Sequence, residues 1–300
     1  MLKIGEDFSK PTRQTPRQTE LALLFLKKTR QSLGNQSNLW HIHSHLYGII
    51  ILKNIMAIES SLEWRSCGLT TVGTVRKHNE DAYLTLPDEG LWVVADGMGG
   101  HAKGDVASQS IIDALEGFTA QRTLSTTIEL IEKRVLDVND KLHNQSLGQP
   151  DKVMGSTVAM VYTYNDHVFY MWAGDSRIYR YRNKKLDQVS HDHSFVQEIV
   201  DKGMMTPEEA GNHPSANIIT RAVGVSDKLV IDIDHDIAKP GDKYLICSDG
   251  LFKDITIEDI SRAMDQIPFK AAQSLIETAL ANEANDNVTV IVVEAATPGS

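Results

Sequence analysis

At 300 residues and 41% hydrophobic composition, the chain has room for a substantial core in one large domain or two ordinary ones. Its formal charge of -10 is uneven, because residues 1–55 carry eight Lys/Arg against three Asp/Glu, which leaves -15 on the remainder. An acidic body excludes nucleic acid as the main partner, and two cysteines, Cys67 and Cys247, exclude a disulfide framework and fit a reducing, cytoplasmic setting.

The segment before Met56 is rich in Gln, Ser and Asn, with one short helical candidate at Leu21–Arg30. The alternating HIHSH at His41–His45 puts three histidines on one strand face without a fourth ligand, so a metal site is not expected there. The apolar run Leu46–Ile58 is too short, and too broken by Lys53 and Asn54, for stable membrane insertion. Residues 1–58 are therefore expected to be an N-terminal extension, poorly ordered or upstream of a natural start at Met56. Deleting residues 1–55 should leave activity and melting unchanged.

From Glu63 onward, strands alternate with helices. Trp64–Val72, Ala82–Leu86 and Leu91–Ala95 read as strands, the last two split by the turn at Pro87–Gly90. Apolar residues at three and four spacing predict helices over Asp105–Gly117 and Ser125–His143. Ser156–Tyr164, His167–Ala173, Arg177–Tyr181 and Lys185–Val189 follow as strands joined by short turns, the pattern of one antiparallel meander. A polar, partly helical insertion comes next (His193–Lys202, Pro207–Gly211, Asn217–Val223), with Phe195, Ile199 and Val200 placed to face a core. Strands at Leu229–Ile233, Lys243–Cys247 and Asn287–Val293, with helices at Thr256–Met264 and Lys270–Asn282, complete the chain. Runs of strands with paired helices predict an α+β architecture of antiparallel sheets with helices outside.

Two of these strands run straight into Asp-Gly: LWVVADG at Leu91–Gly97 and YLICSDG at Tyr244–Gly250. Asp286 in NDNVTVIVV and the pair Glu80-Asp81 in RKHNEDAY add further carboxylates. Together they form an oxygen-rich set of the kind hard divalent cations prefer. Competing motifs fail on their details. GMGGHA at Gly97–Ala102 fits a dinucleotide fingerprint, but Asp96 would face the pyrophosphate and no acid-terminated strand follows about 20 residues on. Cys247 lacks the electropositive setting of a thiolate nucleophile and reads as a core residue. DIDHD at Asp232–Asp236 lacks the Gly and Glu of a calcium loop, and its alternation with Ile231, Ile233 and Ile237 reads as a half-exposed strand.

Taken jointly, RKHNEDA at Arg76, VVADGMGG at Val93, AGDSRIY at Ala173, DHS at Asp192, ICSDG at Ile246 and NDNVTV at Asn285 occur in one order. That set resembles the PPM family, the metal-dependent type 2C protein Ser/Thr phosphatases of bacterial type, across residues 63–295. The resemblance implies a four-layer αββα sandwich over residues 60–297, with a flap insertion at about 190–223. It implies two Mn²⁺ or Mg²⁺ ions bridged by Asp96. Asp249 and Asp286 would complete one ion and Glu80 with the Gly97 carbonyl the other, while Asp175 with Asp249 would hold a third. Arg76 would bind phosphate and Asp81 would orient water for direct attack by a metal-bridging hydroxide on phosphoSer or phosphoThr. The family's animal members carry a histidine general acid where this chain has Met98. His101, three residues on, reads as a structural or surface residue. Through LWVVADGMGGHAKGDVAS at Leu91–Ser108 and HPSANIITRAVG at His213–Gly224, the chain further resembles phosphatases that oppose a Thr kinase in bacterial type VI secretion clusters, which implies a phosphothreonine substrate on a forkhead-associated scaffold or on the kinase. A monomer is expected. The alternatives are a catalytically weak phosphoprotein-binding module and, further off, a dinucleotide-binding oxidoreductase.

Overall fold

The computed structural model describes residues 62–99, 103–147, 154–211 and 213–299. The expectations for residues 1–58 and for His101 lie outside them. Contacts divide the chain into two compact units, and the larger, Glu59–Thr119 with Ile131–Ser300, holds both sheets. Ala120–Leu130 belongs to the other unit and carries the first turns of a long helix.

The first sheet is formed by β1 (Glu63–Thr71), β11 (Val288–Ala296), β10 (Lys243–Cys247), β7 (Arg177–Arg182) and β8 (Lys185–Gln188), in that order. The second runs β2 (Asp81–Leu86), β3 (Leu91–Met98), β5 (Val158–Tyr164), β6 (His167–Ala173) and β9 (Asp232–Ile237), with the short β4 (Gly155–Ser156) paired to the end of β3. The pairings of both sheets are antiparallel. That excludes the parallel βαβ unit a dinucleotide site at Gly97 would need.

Strand side chains alternate between two faces, and both sheets use both faces. Ile291, Val293 and Ala295 of β11, with Tyr244 and Ile246 of β10, meet Trp92, Val94, Ala159, Val161 and Tyr170 of the second sheet. The intervening Val288, Val290, Val292, Leu245 and Cys247 turn outward onto two helices, α6 (Ile257–Met264) and α7 (Pro268–Ala281). On the second sheet the outer layer includes α1 (Gly104–Leu115), which lies against β2 and β3. The helix after it is α2 (Leu124–Ser146), whose Arg134 donates to the Ala114 carbonyl at 2.9 Å. The architecture is the αββα sandwich of the α+β class that the sequence predicts.

Three local expectations need correction. The strands from Val158 to Gln188 are not one meander, because β5 and β6 sit in the second sheet and β7 and β8 in the first. Gly174 makes the crossing at φ 118°, where a Cβ would stand 2.6 Å from the Thr157 Cβ. The strand expected at Leu229–Ile233 lies at Asp232–Ile237, since the ladder with β6 starts at the pair Trp172–Asp232 and leaves Leu229 buried outside it. In α3 (Phe195–Asp201) it is Val196 that is buried, while Phe195 is exposed. The insertion is partly helical as expected: beyond α4 (Pro207–Gly211) its last part is held by bridges from Ile219 to Ser194 and from Val223 to Ser156.

Candidate active site

The strand that carries Asp96 does not stop there. It continues to Met98 and pairs across Asp96–Asp81 with β2 and across Gly97–Ser156 with β4. The Asp96 backbone is held on both sides, donating to Thr157 Oγ1 at 3.1 Å and accepting from Thr157 N at 2.9 Å. Thr157 Oγ1 also lies 2.6 Å from Ser176 Oγ, so the crossover that carries Asp175 is tied to the Asp96 backbone. Asp81 is buried, and its Oδ2 accepts from Ser248 Oγ at 2.7 Å. Ser248 Oγ in turn accepts from the Thr289 amide at 2.9 Å, which joins β2 to the ends of β10 and β11.

Asn287 organises the other side. Its Oδ1 accepts from the Glu80 amide at 2.7 Å, while Nδ2 donates to the carbonyls of Val72 and His78, each at 3.0 Å. One amide side chain thereby fixes the loop that carries Arg76 and Glu80. The Glu80 carbonyl accepts from Ser108 Oγ at 2.6 Å and from the Gly97 amide at 3.1 Å. Only glycine suits position 97, because a Cβ would fall 2.1 Å from the Gly104 carbonyl oxygen. Arg76, half exposed, donates from Nη2 to Asp286 Oδ2 at 2.8 Å.

The electrostatics are those of crowded acids. Burial pushes the Asp96 carboxyl well above its ordinary range, and Asp81, Asp249, Asp175 and Asp286 push it further in the same direction. Asp81 is raised by burial and by Asp249 and Asp286, against hydrogen bonds from Thr289 and Ser248 that favour its anion. Asp175 is raised by burial, then by Asp249 and Asp192, and its buried Oδ1 has no hydrogen-bond partner. Burial raises Glu80 as well. Two cations stand against this charge: Arg76 on Asp286 and Lys253 on Asp249.

The structure thus brings Arg76, Glu80, Asp81, Asp96, Gly97, Asp175, Asp249 and Asp286 to one region through these bonds and mutual charges. Among the described residues, no three His, Cys, Asp or Glu side chains already stand as a metal-holding group. Asp286 and Asp249 instead have oxygens turned to Arg76 and Lys253. The donor set nevertheless fits a hard divalent cation. It consists of carboxylates and a carbonyl, it raises the energy of its own anions, and it leaves a buried oxygen unsatisfied.

Sequence reasoning missed the supports. Ser248 lies inside the SDG motif and Asn287 inside NDNVTV, yet neither residue type signals its distant partner. Ser176 lies inside AGDSRIY without announcing its bond to Thr157, and Thr157 and Lys253 carry no local signal at all. Asp249 also sits differently than a turn after a strand would place it, because it opens a one-turn helix, α5 (Asp249–Phe252). Cys247 is buried as expected, and burial pushes its thiol up.

Comparison with known proteins agrees with this geometry. A family model described as Protein phosphatase 2C matches residues 74–286. The serine/threonine protein phosphatase PstP of Mycobacterium tuberculosis is 37% identical over 225 residues, covering 74% of this chain and 43% of the relative. The chain thus spans less than half the length of that relative. Its structural likeness to PppA, described as a key regulatory component of T6SS in Pseudomonas aeruginosa, has a TM-score of 0.72 at 39% identity, over 77% of this chain and 97% of that one. The catalytic domain of PstP in complex with two manganese ions superposes with a TM-score of 0.71 at 34% identity, over 78% and 99%. On the family match, the shared fold and the order of its motifs, the chain belongs to the protein phosphatase 2C family.

Proposed function

We propose that the chain is a metal-dependent protein serine/threonine phosphatase that hydrolyses phosphothreonine or phosphoserine on a protein substrate. The observation that carries this reading is Asp96, partly buried at the end of β3, with burial and four other carboxylates raising its proton affinity. Such a site gains most from divalent cations. Asp96 would hold two of them, Asp249 and Asp286 completing one and Glu80 with the Gly97 carbonyl the other; Asp175 with Asp249 would hold a third. When bound, such ions supply an activated water and neutralise charge on a transferring phosphoryl group.

The remaining roles belong to the chain's own residues. Arg76 offers a planar fork to phosphoryl oxygens, held at the site by its bond to Asp286. Asp81, with Oδ2 fixed by Ser248, presents an oriented carboxylate to the attacking water. Asn287 and Ser108 hold the Glu80 loop so that its carboxylate and the Gly97 carbonyl stay together. Met98 donates no proton, so the leaving oxygen takes its proton from water.

The likeness to PppA supports a place opposite a threonine kinase in the control of type VI secretion, with the kinase or a forkhead-associated scaffold as substrate. No helix among the described residues is long and apolar enough to cross a membrane. On the reducing setting that two free cysteines fit, the reading is of a cytoplasmic protein, acting as a monomer. The phosphatase unit spans 60–297, with residues 1–58 dispensable. Hydrolysis of a phosphothreonine peptide by wild type and Asp96→Ala, with Mn²⁺, Mg²⁺ or excess EDTA, tests the reading. Turnover that requires metal and is lost in the variant supports it. Metal-loaded wild type that binds the peptide without turnover would leave a phosphoprotein-binding module.

A further inference from the structure

Lys253 touches two parts of the molecule that the catalytic reading treats separately. It follows α5, so Asp249 and Lys253 stand four residues apart on one face of that turn. Its ammonium donates to Asp249 Oδ2 and also to Asn217 Oδ1, the latter at 2.7 Å. Asn217 lies in the 190–223 insertion, between the turn at His213–Ala216 and the bridge from Ile219 to Ser194. The lysine side chain is about one-third exposed, and Asp249, Asp175 and Asp96 all favour its charge. Beside it, Asp175 keeps a buried oxygen without a partner.

We propose that Lys253 is a built-in cation that couples the insertion to the metal centre: it competes with an ion for Asp249 on the Asp175 side, and through Asn217 it ties the insertion down while it does so. The inference rests on the metal-centre reading given above. An ion that takes the Asp249 Oδ2 lone pair now used by Lys253 must displace the ammonium, and two cations against one oxygen repel each other. Displacement loosens the bond to Asn217. By linkage, whatever pulls Asn217 away from Lys253 must equally ease entry of that ion. Lys253 is a positioning residue here, since it acts through Asp249 and Asn217 rather than on substrate.

Calorimetric titration with Mn²⁺, paired with hydrogen exchange over residues 213–221, tests this on the full chain. In Lys253→Met the weakest Mn²⁺ step should tighten on the order of tenfold. Lys253→Gln, which removes the charge and keeps a donor for Asn217, should tighten that step similarly. In wild type, saturating Mn²⁺ should speed exchange at the Ala216 and Ile218 amides. In Lys253→Met those amides should exchange fast with or without Mn²⁺. Asn217→Ala should free the same amides and, by the same linkage, tighten the weakest step, though by less than the Lys253 variants do, because Lys253 still faces Asp249. If wild type binds Mn²⁺ and both Lys253 variants bind it no more tightly, the inference fails alone. If wild type takes up no Mn²⁺, the metal-centre reading fails and takes the inference with it.

Discussion

Two sets of buried and half-buried aspartates in this molecule obey opposite rules. At the root of the insertion, Asp192 accepts from Arg177 Nε and Nη2 at 3.0 and 2.8 Å and from Gln188 at 2.8 Å, while the same guanidinium lies 3.6 Å over the Phe252 ring. Asp232, nearby in the network, accepts from Arg221 at 2.6 Å and pairs with His193 at 3.2 Å. Although burial raises the Asp232 carboxyl, the His193 bond and the Arg221 charge more than offset it and hold the group low. At the catalytic site, burial acts on Asp96, Asp81 and Asp175 with further carboxylates reinforcing it, and all three are pushed up. The root is an ion-pair lattice complete within the chain. The proposed site is a crowding of like charge that an added cation would relieve, and on that reading the contrast separates structural acids from functional ones.

The largest effect that would break the comparison belongs to Asp96. Asp96→Asn should lower kcat/KM for a phosphothreonine peptide by about 10³-fold or more. In excess EDTA the same variant should melt higher than wild type, because one of several like charges is gone. A variant that is both inactive and less stable would mean that Asp96 is a structural acid after all.

Next comes the lattice at the root. Arg177→Ala leaves Asp192 buried without its partner, and breaking such a pair costs about 3 kcal/mol or more, a drop in Tm of roughly 5–10 °C. EDTA should not change that loss. A smaller effect is expected at Arg76, which lies at the rim and half exposed. Arg76→Ala should reduce kcat/KM by about 10²-fold through lost phosphoryl binding, with Tm within about 1 °C of wild type because exposed ion pairs contribute little. Peptide kinetics and a melting curve on one preparation separate the two arginines.

The two regions also differ in how far the sequence announces them. Asp96, Asp249 and Asp286 were legible because each ends or adjoins an apolar strand, and strand direction alone sends them to one edge. The adjacent pair Glu80-Asp81 was legible as further carboxylates, whereas Asp175 became legible only through the order of motifs. The root was not legible, since Arg177, Asp192, Arg221, His193 and Asp232 meet across two sheets and an insertion, and no spacing rule pairs an arginine with an aspartate 15 residues on. The same limit hid Ser248 and Asn287, whose partners lie 167 and 207 residues away. The split of the expected meander had a related cause. The turn Gly174–Ser176 reads like any hairpin turn until Gly174 at φ 118° is seen against Thr157. Periodicity reports which face of a strand is apolar, not which sheet that face joins.

The finest test sets the pH response of the two acids side by side. Asp232 is held below its ordinary value near 3.8, so its contribution to stability is complete above that pH and is lost as pH falls through the folded value. The side chain is about 30% exposed, and solvent screening limits the expected cost of Asp232→Asn at pH 7 to about 1 kcal/mol. That cost should vanish once pH has fallen below the folded value, where the wild-type carboxyl is protonated too. Asp96 runs the other way. Its folded value is raised, so whatever it contributes is present below the unfolded value and lost as pH rises. In EDTA the two Asn variants should therefore straddle wild type at neutral pH, Asp96→Asn above and Asp232→Asn below, and converge on it in acid. Melting curves from pH 3 to pH 8 measure this directly. Two variants displaced to the same side would mean that both acids answer to one electrostatic rule, and the division between lattice and site would have to be given up.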